Sequence, residues 1–310
     1  MRILVASPVF PSALEELRKN HDVVVAIDAP AHDLERLIVD RHALVFRSGV
    51  QITADVMRCA PELELLIRAG SGLDNLDMDY VREKGLKLAR IPEPGARAVA
   101  ELAFGFMLAL SRQISLADGL LRRGKWAKHQ IQGHLLEDKT LGIYGAGNIG
   151  CLVGQMGASW GMRVIGCVEH PSTERAAELA TRGMQLATAE EVVSRSDYLS
   201  LHVPLKDSTR NVIDDQTFAR MKPGAFLINM SRGGVVVEAA LARALRSGHL
   251  AGAGVDVHAQ EGQGAVSPLA EFENVILTPH MGAGTIDSQR KIGERVLQIV
   301  TAHRGRAAGV

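Results

Sequence analysis

The sequence predicts an α/β protein with parallel, doubly wound sheets in two domains, and three observations carry that expectation. Short apolar runs alternate with helix-patterned segments along the chain, the rhythm of βαβ units. A glycine signature, Gly145-x-Gly147-x-x-Gly150, falls between one such run and one such segment. At 310 residues the chain exceeds what one small core organises, so two domains are expected.

In the first part of the chain, residues 3–6 and 22–26 are expected as strands around a helix at 12–19. Ala43–Phe46 is a strand ending in Arg47, residues 53–59 are helical, and Leu65–Arg68 is a strand running into the loop 69–75. Loops at the carboxyl ends of strands form the ligand crevice of open α/β sheets, which makes Arg47 and the 68–75 loop site material. Pro92-Glu93-Pro94-Gly95 opposes regular structure and is expected to mark a crossing between domains. Residues 98–121 read as one long helix, apolar on nearly all faces and therefore buried between domains or subunits. Glu101, Ser111, Arg112 and Gln113 interrupt it and argue against membrane insertion.

The second part opens on a strand through Leu141, Ile143 and Tyr144, the glycine signature, and a helix at 151–160. Each glycine answers a different geometric need. Gly145 turns the chain tightly, Gly147 lets backbone approach a pyrophosphate, and Gly150 lets the helix pack on the strand. The helix N-terminus then offers free N–H groups to phosphate, and Asn148 and Ile149 within the signature are expected to line the cofactor. Strands follow at 163–168, 198–203, 224–230, 252–257 and 275–278, with an amphipathic helix at 238–247. A last helix, 285–302, has an apolar face of Ile292, Val296, Ile299 and Val300, and the tail 304–310 is expected to fray.

Lys plus Arg equals Asp plus Glu at 35 each, so no overall field favours nucleic acid or a membrane, and an anionic ligand has to be held by local groups. The three cysteines, Cys59, Cys151 and Cys167, lack CxxC spacing, which points to buried thiols in a reducing compartment. The N-terminus is too short for a signal-peptide core and no apolar run nears the roughly 20 residues of a span, so a cytoplasmic protein is expected. Histidines such as His129 and His134 have no metal-ligand spacing, and no metal site is expected.

Arg232-Gly233-Gly234-Val235, the acidic loop ending in Glu261, and Thr278-Pro279-His280 with Gly282 together resemble the D-2-hydroxyacid dehydrogenase family. The stretches 46–57 (FRSGVQITADVM), 67–77 (IRAGSGLDNLD) and 99–110 (VAELAFGFMLAL), with Gly124-Lys125-Trp126 and the glycine fingerprint, look like its phosphoglycerate dehydrogenase branch. The resemblance implies two Rossmann-like doubly wound domains, an NAD-binding domain (95–283) inserted into a flavodoxin-like substrate domain (1–94 and 284–310). It also implies an active site in the cleft between them and a homodimer joined near 99–121.

Hydride transfer to a 2-keto acid needs an anchor for the carboxylate, a proton donor for the new alkoxide and a dry cleft. Arg232 suits the anchor, because a planar guanidinium grips a carboxylate or keto oxygen in a fork. His280 suits the acid/base role, and Glu261 is its partner, fixing the imidazole tautomer. Family members usually have Pro after this Glu, where this chain has Gly262, and tend to have Asn where Gly95 stands. By resemblance the amides of Ser71 and Gly72 bind the substrate carboxylate, Asp74 and Asn75 shape their loop, and Arg47 and Arg68 face a substrate phosphate.

For the cofactor, Val168 stands where an Asp is expected to bond the adenosine ribose, and Glu169 follows it. NAD is favoured, while His170 and Arg175 leave NADP open. Val203 and Pro204 beside the adenosine, and Ser231 and Asp256 near the nicotinamide, complete the cofactor wall by resemblance, with Thr209, Met230 and Gly282 as further cofactor-binding residues. The implied activity is oxidation of a small D-2-hydroxy acid, 3-phosphoglycerate first. Hydroxypyruvate/glyoxylate reductase is the alternative, since 310 residues leave no room for extra C-terminal regulatory domains. An NAD(H)-sensing, corepressor-like binding protein is the reading of another class.

Overall fold

The computed structural model describes residues 1–27 and 29–307, and the chain forms two compact units, Met1–Ala98 with Ala283–Val310, and Val99–Gly282. In the first unit β1 (Arg2–Val5), α1 (Pro11–Asn20), β2 (Asp22–Val25), α2 (Ala31–Leu37), β3 (Ala43–Phe46), α3 (Ala54–Arg58), β4 (Leu65–Arg68), α4 (Met78–Glu83) and β5 (Lys87–Arg90) alternate along the chain. All strands pair in parallel in the order β2-β1-β3-β4-β5, the flavodoxin-like arrangement. Side chains alternate across this sheet: Leu4, Leu44, Phe46 and Leu66 join one buried cluster, and Ile3, Val45, Leu65 and Ile67 the other. Both faces are covered, so β3 and β4 are buried along their whole length.

α5 (Glu93–Ser111) starts inside the stretch expected to be irregular. Pro94 is tolerated there because the first turn of a helix has no use for its missing N–H and its φ is preset. The single long helix expected at 98–121 is two: α6 (Ile114–Arg122) leaves α5 at 61° through Gln113, whose φ of 51° is left-handed. α5 sends Ala103, Phe104, Met107 and Leu110 into the core, but α6 buries no residue and exposes Ile114 and Leu121, contrary to the expectation of heavy burial throughout. Among the described residues no single helix is long and apolar enough to cross a membrane.

The second unit continues with β6 (Thr140–Tyr144), α7 (Asn148–Ser159), β7 (Arg163–Cys167), α8 (Thr173–Thr181), β8 (Met184–Leu186), α9 (Ala189–Arg195), β9 (Tyr198–Leu201), α10 (Asp215–Arg220), β10 (Ala225–Asn229), α11 (Glu238–Arg246), β11 (Leu250–Val255) and β12 (Val275–Leu277). Its strands are parallel in the order β12-β11-β10-β9-β6-β7-β8, which reverses direction between β6 and β9. Ligands bind outside the carboxyl ends of strands at such a switch point. The register sharpens this, because Cys167, Tyr144, Leu201, Asn229, Val255 and Leu277 are successive partners across the sheet. These last residues of six neighbouring strands form one row, and every loop leaving it starts at the same level.

The edge strand β5 and the three-residue β8 were not anticipated. The chain closes with α12 (Ile286–Ala307), whose Ile292, Val296 and Val300 are buried in the first unit. This helix runs past 302 through part of the tail expected to fray, and residues 308–310 lie outside the described residues.

Candidate active site

At the end of β6 the backbone supplies the binding groups. Gly145 takes φ 99°, and a Cβ there would lie 2.7 Å from Val203 Cγ1 and 3.0 Å from the His202 carbonyl, so β6 and β9 exits touch through a glycine. Gly150 is equally forced, since its Cβ would sit 2.3 Å from the Gly145 oxygen. Gly147, by contrast, faces open space and caps α7 without a side-chain hydrogen bond, leaving the first N–H groups of the helix, at Asn148 and Ile149, unclaimed by a cap. A concave run of backbone with a helix N-terminus and no Cβ in the way fits a dinucleotide pyrophosphate. The Ala146 N–H donates to the Cys167 carbonyl at 2.8 Å, and Arg175 donates to the Ala146 carbonyl, bracing the turn from β7 and α8. Arg175 thus serves the loop itself, a role nothing in its sequence position signals.

At the exit of β7, Val168 is partly buried against apolar neighbours, whereas Glu169 is exposed and accepts from Lys206 Nζ at 2.7 Å. The lysine holds the Glu169 carboxyl below its ordinary range. Lys206 belongs to the loop after β9, where Thr209 Oγ1 donates to the Pro204 carbonyl at 2.6 Å and accepts from the Lys206 N–H at 2.8 Å. His202, between Leu201 and Val203, shares a 2.8 Å hydrogen bond with Ser200 Oγ through Nε2, while its Nδ1 is buried with no partner. Burial pushes this imidazole down to about 3, so it stays neutral.

Past β10, β11 and β12 the working groups are side chains. Asp256 is 2% exposed and collects the whole exit of β12: Oδ1 accepts from Thr278 Oγ1 at 2.5 Å and the Met281 N–H at 2.9 Å, Oδ2 accepts from the Gly282 N–H at 2.9 Å, and its carbonyl accepts from the His280 N–H at 2.7 Å. The turn this clamps places His280 at φ 51°, a left-handed conformation that costs energy outside glycine. Its ring then meets Glu261, with Nδ1 2.9 Å from Oε2 and 3.1 Å from Oε1. An ionised carboxylate only accepts, so Nδ1 carries the proton and donates it, and Nε2 is left for exchange. Partial burial pushes the Glu261 carboxyl up, but the hydrogen bond from His280 and the His258 N–H outweigh it and hold the carboxyl below its ordinary range. Gly262 adopts φ 126°, which proline cannot, and the loop it belongs to delivers the Glu261 carboxylate to His280.

Arg232 follows Ser231, whose N–H and Oγ donate to Asn229 Oδ1, and Asn229 Nδ2 donates to the Arg232 carbonyl at 3.3 Å. The Arg232 guanidinium itself donates to the Ser231 carbonyl at 2.7 Å. A Cβ on Gly233 would fall 2.0 Å from the His258 carbonyl, so the Arg232 loop lies directly on the loop that leads to Glu261. His258, which the sequence did not single out, locks that contact by donating from Nε2 to the Thr278 carbonyl at 2.9 Å. Met230 and Gly282 are packed around Asp256: a Cβ at Gly282 would be 3.0 Å from Oδ2 and 3.2 Å from the Met230 methyl.

In the first unit the Arg47 N–H donates to Ser7 Oγ at 2.9 Å and its guanidinium to Gln289 Oε1 at 2.5 Å; burial pulls the guanidinium below its ordinary value. Arg68 is 3% exposed and donates from Nε to the Gly72 carbonyl at 2.8 Å. Asn75 Nδ2 donates to the carbonyls of Arg47 and Val50, tying the 69–75 loop to the end of β3.

Residues 104–282 match the D-isomer specific 2-hydroxyacid dehydrogenase, NAD binding domain. D-3-phosphoglycerate dehydrogenase of Mycobacterium tuberculosis is 37% identical over 299 residues, 96% of this chain and 56% of that protein, so the chain spans about half the length of that relative. Hydroxypyruvate reductase of Thermotoga maritima is 36% identical over 98% of both chains. The structure of Aquifex aeolicus D-lactate dehydrogenase complexed with NAD and lactic acid superposes with a TM-score of 0.85 at 26% identity, covering 98% of this chain and 96% of the other. With the glycine turn, Arg232 and the His280–Glu261 pair on one sheet edge, these likenesses leave a single conclusion: the chain belongs to the D-isomer specific 2-hydroxyacid dehydrogenase family.

Proposed function

We propose that the chain is an NAD-dependent oxidoreductase interconverting a D-2-hydroxy acid and its 2-keto acid. The observation that carries this reading is the His280 Nδ1–Glu261 hydrogen bond, standing on the same row of strand ends as the glycine turn. The nicotinamide, when bound, supplies or accepts the hydride. Arg232 holds the substrate's carboxylate or keto oxygen and polarises the carbonyl. His280 Nε2 gives a proton to that oxygen in reduction and takes one from the hydroxyl in oxidation. Glu261 keeps the other proton on Nδ1, which fixes the atom that exchanges. The Ser71 and Gly72 amides receive the carboxylate, and Asp256 sets the loop that carries the histidine.

A 3-phosphoglycerate-like substrate is the first reading, supported by the mycobacterial relative, with Arg47 and Arg68 as the basic pair for the phosphate. A second reading, reduction of hydroxypyruvate or glyoxylate, is favoured by the acceptors those guanidiniums already have, Gln289 and the Gly72 carbonyl. For the dinucleotide, Glu169 takes the place of the absent Asp at the ribose. A second copy of the chain covers the unburied apolar side chains of α6, and sedimentation should show a dimer.

The deciding experiment is a panel of 3-phosphohydroxypyruvate, hydroxypyruvate, glyoxylate and 2-oxoglutarate against NADH and NADPH. Turnover on one of them is expected. Tight dinucleotide binding with no turnover on any would replace the enzyme with an NAD(H)-sensing binding protein.

A further inference from the structure

Arg90 closes β5 and is the register partner of Arg68 at the end of β4. Paired positions on parallel strands face the same side of a sheet, so two guanidiniums issue side by side from one row. Each finds a carbonyl of the next loop: Arg68 Nε donates to Gly72 O at 2.8 Å, and Arg90 donates to Ser71 O at 2.5 Å. In a trans peptide the carbonyl and the following N–H point in opposite directions. Holding the Ser71 oxygen therefore turns the Gly72 N–H away from Arg90, and holding the Gly72 oxygen does the same for the Leu73 N–H. The N–H groups of Ser71 and Gly72 donate to no acceptor among the described residues, and both residues are only partly buried. Gly70 makes room for this arrangement, since a Cβ there would lie 2.5 Å from Arg68 Nη1.

We infer that Arg90, with Arg68 holding the peptide that follows, is a positioning residue that presets the Gly72 amide, next to that of Ser71, as part of a receptor for the carboxylate of the substrate. Arg90 touches no substrate atom. It acts by fixing the peptide plane and by placing positive charge behind donors that face an anion, which strengthens them. The inference rests on the assignment of those two amides to the carboxylate made under the proposed function.

The test is steady-state kinetics of Arg90→Ala and Arg90→Lys in the full chain with hydroxypyruvate and glyoxylate, paired with calorimetric titration of oxalate into the NADH-loaded protein. Arg90→Ala should raise KM about tenfold and weaken oxalate by the same factor, with kcat, NADH affinity and melting temperature near wild type. Arg90→Lys, which keeps the charge and a donor, should recover most of the loss. An unchanged KM and oxalate affinity overturns the inference, and so does a loss that moves NADH affinity and melting temperature in parallel. Oxalate binding that depends on Arg90 in a protein without turnover keeps the inference and sinks the dehydrogenase reading instead.

Discussion

On the β6–β7–β8 side of the seven-stranded sheet, the groups offered to a ligand are peptide N–H groups, and their positions are enforced by Gly145 and Gly150, where a Cβ would collide with neighbouring atoms. Across the switch point, past β10, β11 and β12, the groups are side chains, and each is aimed by a hydrogen bond: Ser231 to Asn229 at the end of its own strand, His280 to Glu261 on the preceding loop, and the β12 exit to Asp256 at the end of β11. The first side is built by removing atoms and the second by adding them. The difference teaches that the same row of strand ends binds by shape at one end and by chemistry at the other.

The largest expected effect breaks the chemical side alone. His280→Ala should cut turnover by about 10²- to 10⁴-fold while NADH affinity stays within error, because no group of the glycine turn is altered. Equal loss of NADH affinity would show that the two sides are not separable. Gly150→Ala attacks the other side: its methyl meets the Gly145 oxygen at 2.3 Å, and NADH affinity should drop about 10- to 100-fold, in line with the 1–3 kcal/mol of overpacking. Fluorescence titration with NADH decides it.

The seam between the sides is β9, and His202 offers a measure of how dry it is. An unfolded histidine titrates near 6.5, but His202 in the fold is held at about 3, so on acidification the unfolded chain takes up the proton first. The stability tied to the neutral ring is therefore complete above about pH 6.5 and declines as pH falls toward 3, by about 2 kcal/mol at pH 5. Denaturant unfolding at pH 7 and pH 5 should show that loss, and His202→Gln should remove it; equal pH dependence in both proteins would place water at the ring. The smallest effect sharpens cofactor choice. Val168→Asp should favour NADH over NADPH by about a further fivefold, measured as the ratio of dissociation constants.

The shape side was legible in the sequence because its signal is local: Gly145, Gly147 and Gly150 lie within six residues and each has a geometric reason. The chemical side was legible only through resemblance, since Glu261 and His280 are 19 residues apart and no spacing rule brings them together. Arg90 and His258, and the bracing role of Arg175, went unseen because these side chains act on backbone carbonyls of other loops, which leaves no motif. The strand β5 was missed for a related reason, as an exposed edge with Lys87 and Arg90 at its ends lacks the apolar run of a central strand. The break at Gln113 escaped because neither Gly nor Pro marks it, and a left-handed glutamine is set by the packing around it rather than by its own preference.

Asp256 gives the sheet an uneven tolerance to change. Four hydrogen bonds from the exit of β12 end on this one residue, so a substitution there would unseat His280 without touching a reacting atom. Among the described residues no other carboxylate accepts from the backbone of that exit to take over. Drift in this protein is free to explore the exposed stretch 262–266, while the placement of His280 is inherited through a single anchoring carboxylate.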